Sequence, residues 1–175
     1  MSFLVLFGLA IVIFGFALLR TRLKAFRLSR LSWDDLVGRV VPVPLEGITA
    51  IAMDCLQPTK GQLKLDTNEL WVMVGGLDGL KSMYANAEIL LALAGYAERW
   101  NRDESVIVAE RMRREAIALR TATKKLSLGF VVGIDTHGRF HVQEAASAYY
   151  LMRQRLLALY ETSHAGRYSR LAAAV

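Results

Sequence analysis

The residues best suited to chemistry lie late in the chain, between residues 135 and 141. Asp135, His137 and His141 form the pattern D-x-H-x-x-x-H. Divalent metals such as zinc accept imidazole and carboxylate ligands, and a catalytic zinc commonly keeps three protein ligands. These three residues are therefore weak candidates for a metal site. No CxxC pair supports the pattern, and in a turn such residues are usually solvated, with Asp135 and Gly138 serving turn geometry.

A glycine-rich segment, Gly75-Gly76-Leu77-Asp78-Gly79, forms a second candidate site. It precedes an expected helix, and free backbone amides at a helix N-terminus bind anions. The segment lacks the spacing of a dinucleotide-binding loop, however. The simpler interpretation is a joint between helices or a close backbone contact.

Recognised catalytic motifs are missing from the sequence. The chain contains no GxxxxGK[ST], GxSxG or HExxH pattern. Cys55, the single cysteine, lies in an apolar stretch with no histidine near it in sequence, which argues against a nucleophile. We therefore assign no catalytic residue and expect no cofactor.

The elements that carry these residues begin with an apolar segment, residues 3–19, which contains neither charge nor proline. A helix rising about 1.5 Å per residue needs roughly 17 to 25 apolar residues to cross a bilayer. Too few residues precede the segment for a signal peptide, and it lacks the polar face of an interfacial helix. We predict a transmembrane anchor over residues 1–19. A helix buried in a soluble core remains the alternative.

The orientation of this anchor is predicted by the basic segment that follows it, residues 20–31. Short flanks rich in Lys and Arg stay on the cytoplasmic side of a membrane. We therefore expect the N-terminus outside and residues 20–175 in the cytoplasm, as a single-pass protein of a bacterial inner membrane. The basic residues are Arg20, Arg22, Lys24, Arg27 and Arg30.

The charge distribution argues against nucleic acid as a partner. The chain has net charge +6, of which residues 1–33 carry +5. Because the positive net charge comes mainly from the basic segment next to the predicted anchor, it is weak support for nucleic-acid binding. The remainder is divided, with −5 over residues 31–104 and +6 over residues 105–175. We expect the two halves to attract each other within one domain.

The alternative is a basic surface that faces anionic lipid or an acidic partner. Near an anionic membrane surface, each Lys or Arg contributes about 1 kcal/mol to membrane binding. The residues proposed for this surface are Arg111, Arg113, Arg114 and Lys124.

Residues 32–165 are predicted to form one mainly α domain, a bundle of three to four main helices. Amphipathic spacing indicates long helices over Leu77–Trp100, from Asp103 or Glu104 onward, and over Gln143–Thr162. Shorter helices are indicated after Ser32, from Gly47 to Leu56 and from Thr67.

Two segments of this domain are predicted to be non-helical. Residues 128–142 combine β-branched residues with a turn-like sequence, which favours a short β-hairpin, with an irregular linker as the alternative. Residues 166–175 are predicted to be a flexible tail.

These observations favour a non-enzymatic membrane-tethered interaction domain, such as an accessory, assembly or scaffolding subunit of a membrane protein complex. The expected partners are the lipid bilayer and either another protein or further copies of this chain. The alternative is a membrane-anchored enzyme or a ligand or metal sensor. Its site would lie near Asp135, His137 and His141, or at Gly75–Gly79.

Overall fold

The computed structural model describes residues 31–57, 66–97, 102–132, 138–163 and 165–175, together with Phe7, Gly15, Phe16, Leu19, residues 26–28 and Arg30. From residue 31 onward these stretches contain seven helices and no strand, which confirms the mainly α fold. The helices are α1 (Trp33–Val37), α2 (Leu45–Leu56), α3 (Thr67–Met73), α4 (Gly76–Ala97), α5 (Arg102–Val132), α6 (Gly138–Ser163) and α7 (Ala165–Ala174).

The helix count exceeds the predicted three to four. Helices α4, α5 and α6 are long, with 22, 31 and 26 residues, and correspond to the three long helices expected from the amphipathic spacing. The shorter elements add to this number because each buries apolar side chains, and α1 and α3 also carry their own start signals.

The start signals of α1 and α3 are both capping boxes. Ser32 accepts a hydrogen bond from the Asp35 backbone N–H at 3.1 Å, and the Asp35 carboxylate accepts from the Ser32 N–H. Asp66 and Glu69 form the same reciprocal arrangement before α3. Each box satisfies two amides that the helix itself leaves unpaired, which defines where a short helix begins.

Helix α6 is the central element of the domain. It packs against α2, α3, α4, α5 and α7. Tyr149, Met152 and Leu156 on α6 are completely buried. A fully buried side chain of this size contributes about 1.5–3 kcal/mol through burial, so α6 supplies much of the common core.

The predicted β-hairpin at 128–142 is wrong. Residues 128–132 belong to α5 and residues 138–142 to α6, while residues 133–137 lie outside the described part. A two-stranded hairpin is marginal alone, whereas a β-branched residue costs a helix only about 0.7 kcal/mol or less. The buried positions Leu119, Ala122 and Leu126 pack α5 along the domain, and the helix continues past them.

The predicted flexible tail at 166–175 is also corrected by the structure. These residues belong to α7 and end in Val175, and both Leu171 and Val175 are buried in the core. The Arg170 guanidinium lies 5.2 Å from the Trp33 ring centroid and pairs with Asp34 at 2.7 Å. The C-terminal helix therefore packs on α6 and contacts α1 through Arg170, whose guanidinium makes a cation–π contact with Trp33.

The predicted anchor lies almost wholly outside the described residues. Among the residues that are described, no helix is both long and apolar enough to cross a membrane. Within the segment 1–19, Phe7, Phe16 and Leu19 are described, and each is more than half exposed. Of the basic flank, Arg27 and Arg30 are described and exposed, and the other three basic residues lie outside.

Candidate functional site

The predicted metal ligands are not brought together in the part of the chain that the structure describes. Asp135 and His137 lie outside it, so this pattern stays a prediction. His141 lies on the first turns of α6, where its Nδ1 is 3.4 Å from a carboxylate oxygen of Glu144. Among the described residues there is no group of three His, Cys, Asp or Glu side chains that could hold a metal.

The glycine-rich segment forms a tight joint between α3 and α4. Gly75 and Gly76 have φ of 77° and 62°, a backbone conformation that glycine adopts without strain. A Cβ at Gly79 would collide with the carbonyl oxygen of Val74. The positive φ values and the close approach of backbone atoms therefore account for glycine at these positions.

Gly47 on α2 serves the same packing region. A Cβ at this position would collide with the backbone of Met73, the last residue of α3. Helices α2 and α3 thus approach each other closely at a position where only glycine fits.

The basic residues proposed from sequence lie on α5. Arg111, Arg114 and Lys124 are exposed, and Arg113 pairs with Glu110 of the same helix at 3.2 Å. Exposed pairs of this kind contribute little to stability, typically under about 1 kcal/mol.

Ion pairs between the acidic and basic halves are formed at other residues. Arg120 on α5 pairs with Glu88 on α4 at 2.7 Å. Arg170 pairs with Asp34, also at 2.7 Å, although both groups are largely exposed. The two halves thus attract each other at specific pairs, while most of the basic side chains of α5 remain on its surface.

The solvent side of α5 also carries large apolar side chains at regular spacing. Val106, Ile117 and Leu128 are 52%, 64% and 65% exposed. They recur every eleven residues, about three turns of a 3.6-residue helix, so they line up on one face over roughly 33 Å. Arg113 and Lys124 share this face. We call these five residues the α5 outer face.

A cavity of about 520 Å³ lies between α4 and α5, near the C-terminal end of the outer face. We call it the α4–α5 cavity. Its wall contains two lysines, a phenol, two hydroxyl side chains and one leucine. They are Lys81, Tyr84, Thr123, Lys124, Ser127 and Leu128.

An ion pair between Arg120 and Glu88 lies next to the cavity, beside Tyr84. The Arg120 guanidinium, which pairs with Glu88, lies 5.4 Å from the Tyr84 ring centroid. The Glu88 side chain is only 14% exposed. Because its charge is compensated by Glu88, Arg120 adds little net positive charge to the cavity, and the two lysines dominate there.

The most buried polar residue of the core is Asn86 on α4. Its amide donates to the Val41 carbonyl oxygen at 2.7 Å and to the Tyr149 hydroxyl at 3.1 Å, and its oxygen accepts from the Val41 N–H at 2.9 Å. Burial raises the pKa of Tyr149, and the bond from Asn86 opposes that shift. This network holds the extended segment before α2 against α4 and α6.

Sequence reasoning missed the outer face and the cavity for different reasons. The eleven-residue spacing of Val106, Ile117 and Leu128 was readable from the sequence as a second stripe on α5. The cavity combines Lys81 with residues more than forty positions later, and no local signal joins them.

Cys55 lies in an apolar stretch of the sequence, but the structure places it at an exposed position.

No family model, curated protein or solved structure matches the chain.

Proposed function

We propose that this chain is a non-enzymatic membrane-tethered interaction domain, an accessory, assembly or scaffolding subunit of a membrane protein complex. The observation that carries the proposal is the α5 outer face. It presents three large apolar side chains to solvent, and burying the part of each that is still exposed would contribute about 1–2 kcal/mol.

The spacing of the outer face favours a helical partner. Exposed apolar side chains aligned along one face of a helix form a row against which a second helix can pack. Arg113 and Lys124 lie between the apolar positions, so the matching partner helix carries acidic residues at the corresponding places. Charge complementarity of this kind contributes specificity and a faster association rate.

A second copy of this chain is a poorer match for the same face. A parallel pairing of two outer faces places Arg113 and Lys124 near the same basic residues of the other copy, and like charges oppose that contact. We therefore propose a different protein as the partner, and homo-oligomerisation becomes an outcome of the test.

The membrane tether is supported by the described side chains of residues 1–19. Phe7, Phe16 and Leu19 are each more than half exposed. A helix that belonged to a soluble core would bury such residues, because each loses favourable burial energy in water. Their exposure favours the predicted anchor over the buried-helix alternative. The proposed cytoplasmic placement of residues 20–175 depends on the basic flank instead.

The partner can be tested by introducing a photoreactive amino acid at position 117 in the full chain, in its native membrane. We expect a cross-link to one protein, mapped to an acidic helix. Val106→Asp and Ile117→Asp should reduce its copurification at least tenfold. Val72→Asp is the matched control, since Val72 on α3 is 77% exposed and lies away from α5.

Cross-links to lipid alone, or to another copy of this chain, would contradict the proposed partner. Full retention of the partner in both aspartate variants would equally exclude the outer face. Substitutions at exposed positions usually change stability by less than about 0.5 kcal/mol, so loss of folding should not confuse the result. Protease added to sealed cells tests the orientation separately and should leave residues 20–175 intact.

A further inference from the structure

We propose that the α4–α5 cavity binds an anionic amphiphile, an alkyl chain that ends in a carboxylate or a phosphate. This inference goes beyond the proposed interaction function. The cavity shares Lys124 and Leu128 with the α5 outer face, and its other lining residues are Lys81, Tyr84, Thr123 and Ser127. The proposed site has three parts: an apolar interior, a pair of lysines, and a buried hydroxyl with no partner.

The size and lining of the cavity suit an alkyl chain. Its volume, about 520 Å³, lies within the range of roughly 300–1,000 Å³ typical of small-molecule sites. Such sites are mostly apolar with a few placed polar groups. The Tyr84 ring and the Leu128 side chain provide apolar surface from α4 and α5, so a hydrocarbon chain would lie between the two helices.

Two lysines supply the charge that selects an anionic head group. Lys81 comes from α4 and Lys124 from α5, so each helix contributes one lysine to the lining. Their alkyl stems lie at the wall, and the ammonium groups can reach an anion at the open side. Lys81 contacts Asp78 at 3.1 Å, but these side chains are 64% and 92% exposed. An exposed pair of this kind is weak and can be exchanged for a bound anion.

Thr123 supplies a hydrogen-bonding group beside the cavity. The residue is 7% exposed, and its Oγ1 has no hydrogen-bond partner among the described residues. The neighbouring Ser127 hydroxyl is already used, because it donates to the Thr123 carbonyl oxygen at 2.8 Å. Buried polar groups in proteins are nearly always paired. The Thr123 hydroxyl is shielded from solvent beside the cavity, and a rotation of its side chain would let it donate to a ligand oxygen.

The test uses the full chain in nanodiscs of zwitterionic phosphatidylcholine and a photoreactive long-chain carboxylic acid as the probe. We expect saturable cross-linking to residues 81–84 and 123–128. The matching photoreactive alcohol should label these residues about tenfold less at equal concentration, which corresponds to about 1.4 kcal/mol for the lost charge contact.

Variants separate the contributions of the lining groups. Lys81→Met combined with Lys124→Met should reduce labelling by the acid about tenfold. Lys125→Met is the matched control, because Lys125 is exposed on α5 and does not line the cavity. Thr123→Val, which keeps the side-chain shape, should reduce labelling several-fold, whereas a merely structural hydroxyl would leave it unchanged.

Several results would overturn the proposal. Absence of saturable labelling at these two segments would exclude the site. Equal labelling by the acid and the alcohol would exclude an anionic head group, and competition by inorganic phosphate alone would indicate a small-anion site. Ser127→Phe should block the cavity and abolish labelling, with circular dichroism melting to verify the fold. If that variant unfolds, Thr123→Val decides the question.

Because these residues differ from Val106 and Ile117, loss of partner binding and loss of amphiphile binding are distinguishable. A variant can lose amphiphile labelling and still retain the partner cross-link, or the reverse.

Discussion

Replacing Asn86 by alanine should destabilise the domain more than any other single amide change. Asn86 is fully buried and makes three hydrogen bonds, at 2.7, 2.9 and 3.1 Å, to Val41 and Tyr149. Each intramolecular hydrogen bond contributes about 0.5–1.5 kcal/mol net, so their combined loss is about 3 kcal/mol. The buried Tyr149 hydroxyl would also be left with an unmet hydrogen bond.

Urea unfolding of the full chain in detergent, monitored by circular dichroism, measures the loss of unfolding free energy. A thermal melt monitored in the same way gives the melting temperature. The melting temperature should fall by about 6–12 °C, since 1 kcal/mol corresponds to about 2–4 °C at this size. Asn68→Ala is the matched control and should cost under about 0.5 kcal/mol, because that amide makes one exposed bond of 3.3 Å to Asp66.

A double-mutant cycle isolates the contact between Asn86 and Tyr149. Tyr149→Phe should cost about 1 kcal/mol. The double variant should lose about 1 kcal/mol less than the sum of the single changes, because both remove the same bond. If Asn86→Ala costs no more than Asn68→Ala, the buried network does not hold the segment before α2, and this reasoning is wrong.

Two further predictions concern packing and pH. Gly47→Ala and Gly79→Ala should each destabilise the chain by about 1–3 kcal/mol, since the new Cβ meets rigid backbone. Gly95→Ala, whose Cβ meets nothing within 4 Å, should stabilise it by about 0.5–1 kcal/mol in the same urea assay. Equal effects at all three positions would refute the steric argument. Burial raises the pKa of Tyr160 to about 12. The folded state therefore holds this proton more tightly than the unfolded chain, and stability present below pH 10 is lost as pH rises toward 12. Tyr160→Phe should lower stability at pH 8 by about 1 kcal/mol, because the bond to the Leu93 carbonyl is lost, and should flatten this alkaline decline in pH-dependent melting.

Local signals in the sequence were sufficient for several helix starts. Ser32 with Asp35 predicted α1, and the helix from Thr67 was predicted one residue after the Asp66 cap that the structure shows. Capping depends on residues within one turn of each other, so it can be read without knowledge of the fold.

Local signals failed where tertiary packing decides the conformation. The β-branched residues near the end of α5 favour a strand in isolation, but this helix extends through them to Val132. The C-terminal residues were predicted to form a flexible tail, yet Leu171 and Val175 occupy buried positions on the domain. β-propensity in particular reflects the packing environment more than the backbone itself.

The candidate sites show the same division between features that local sequence determines and features that tertiary packing determines. The sequence by itself determined the helical class, the three long helices and the apolar segment at residues 3–19, because composition and periodicity are properties of one continuous segment. Only the tertiary structure decided that Lys81 faces the same cavity as Thr123 and that Arg120 pairs with Glu88. Contacts between distant residues depend on how the helices pack together, and this packing is a property of the whole core.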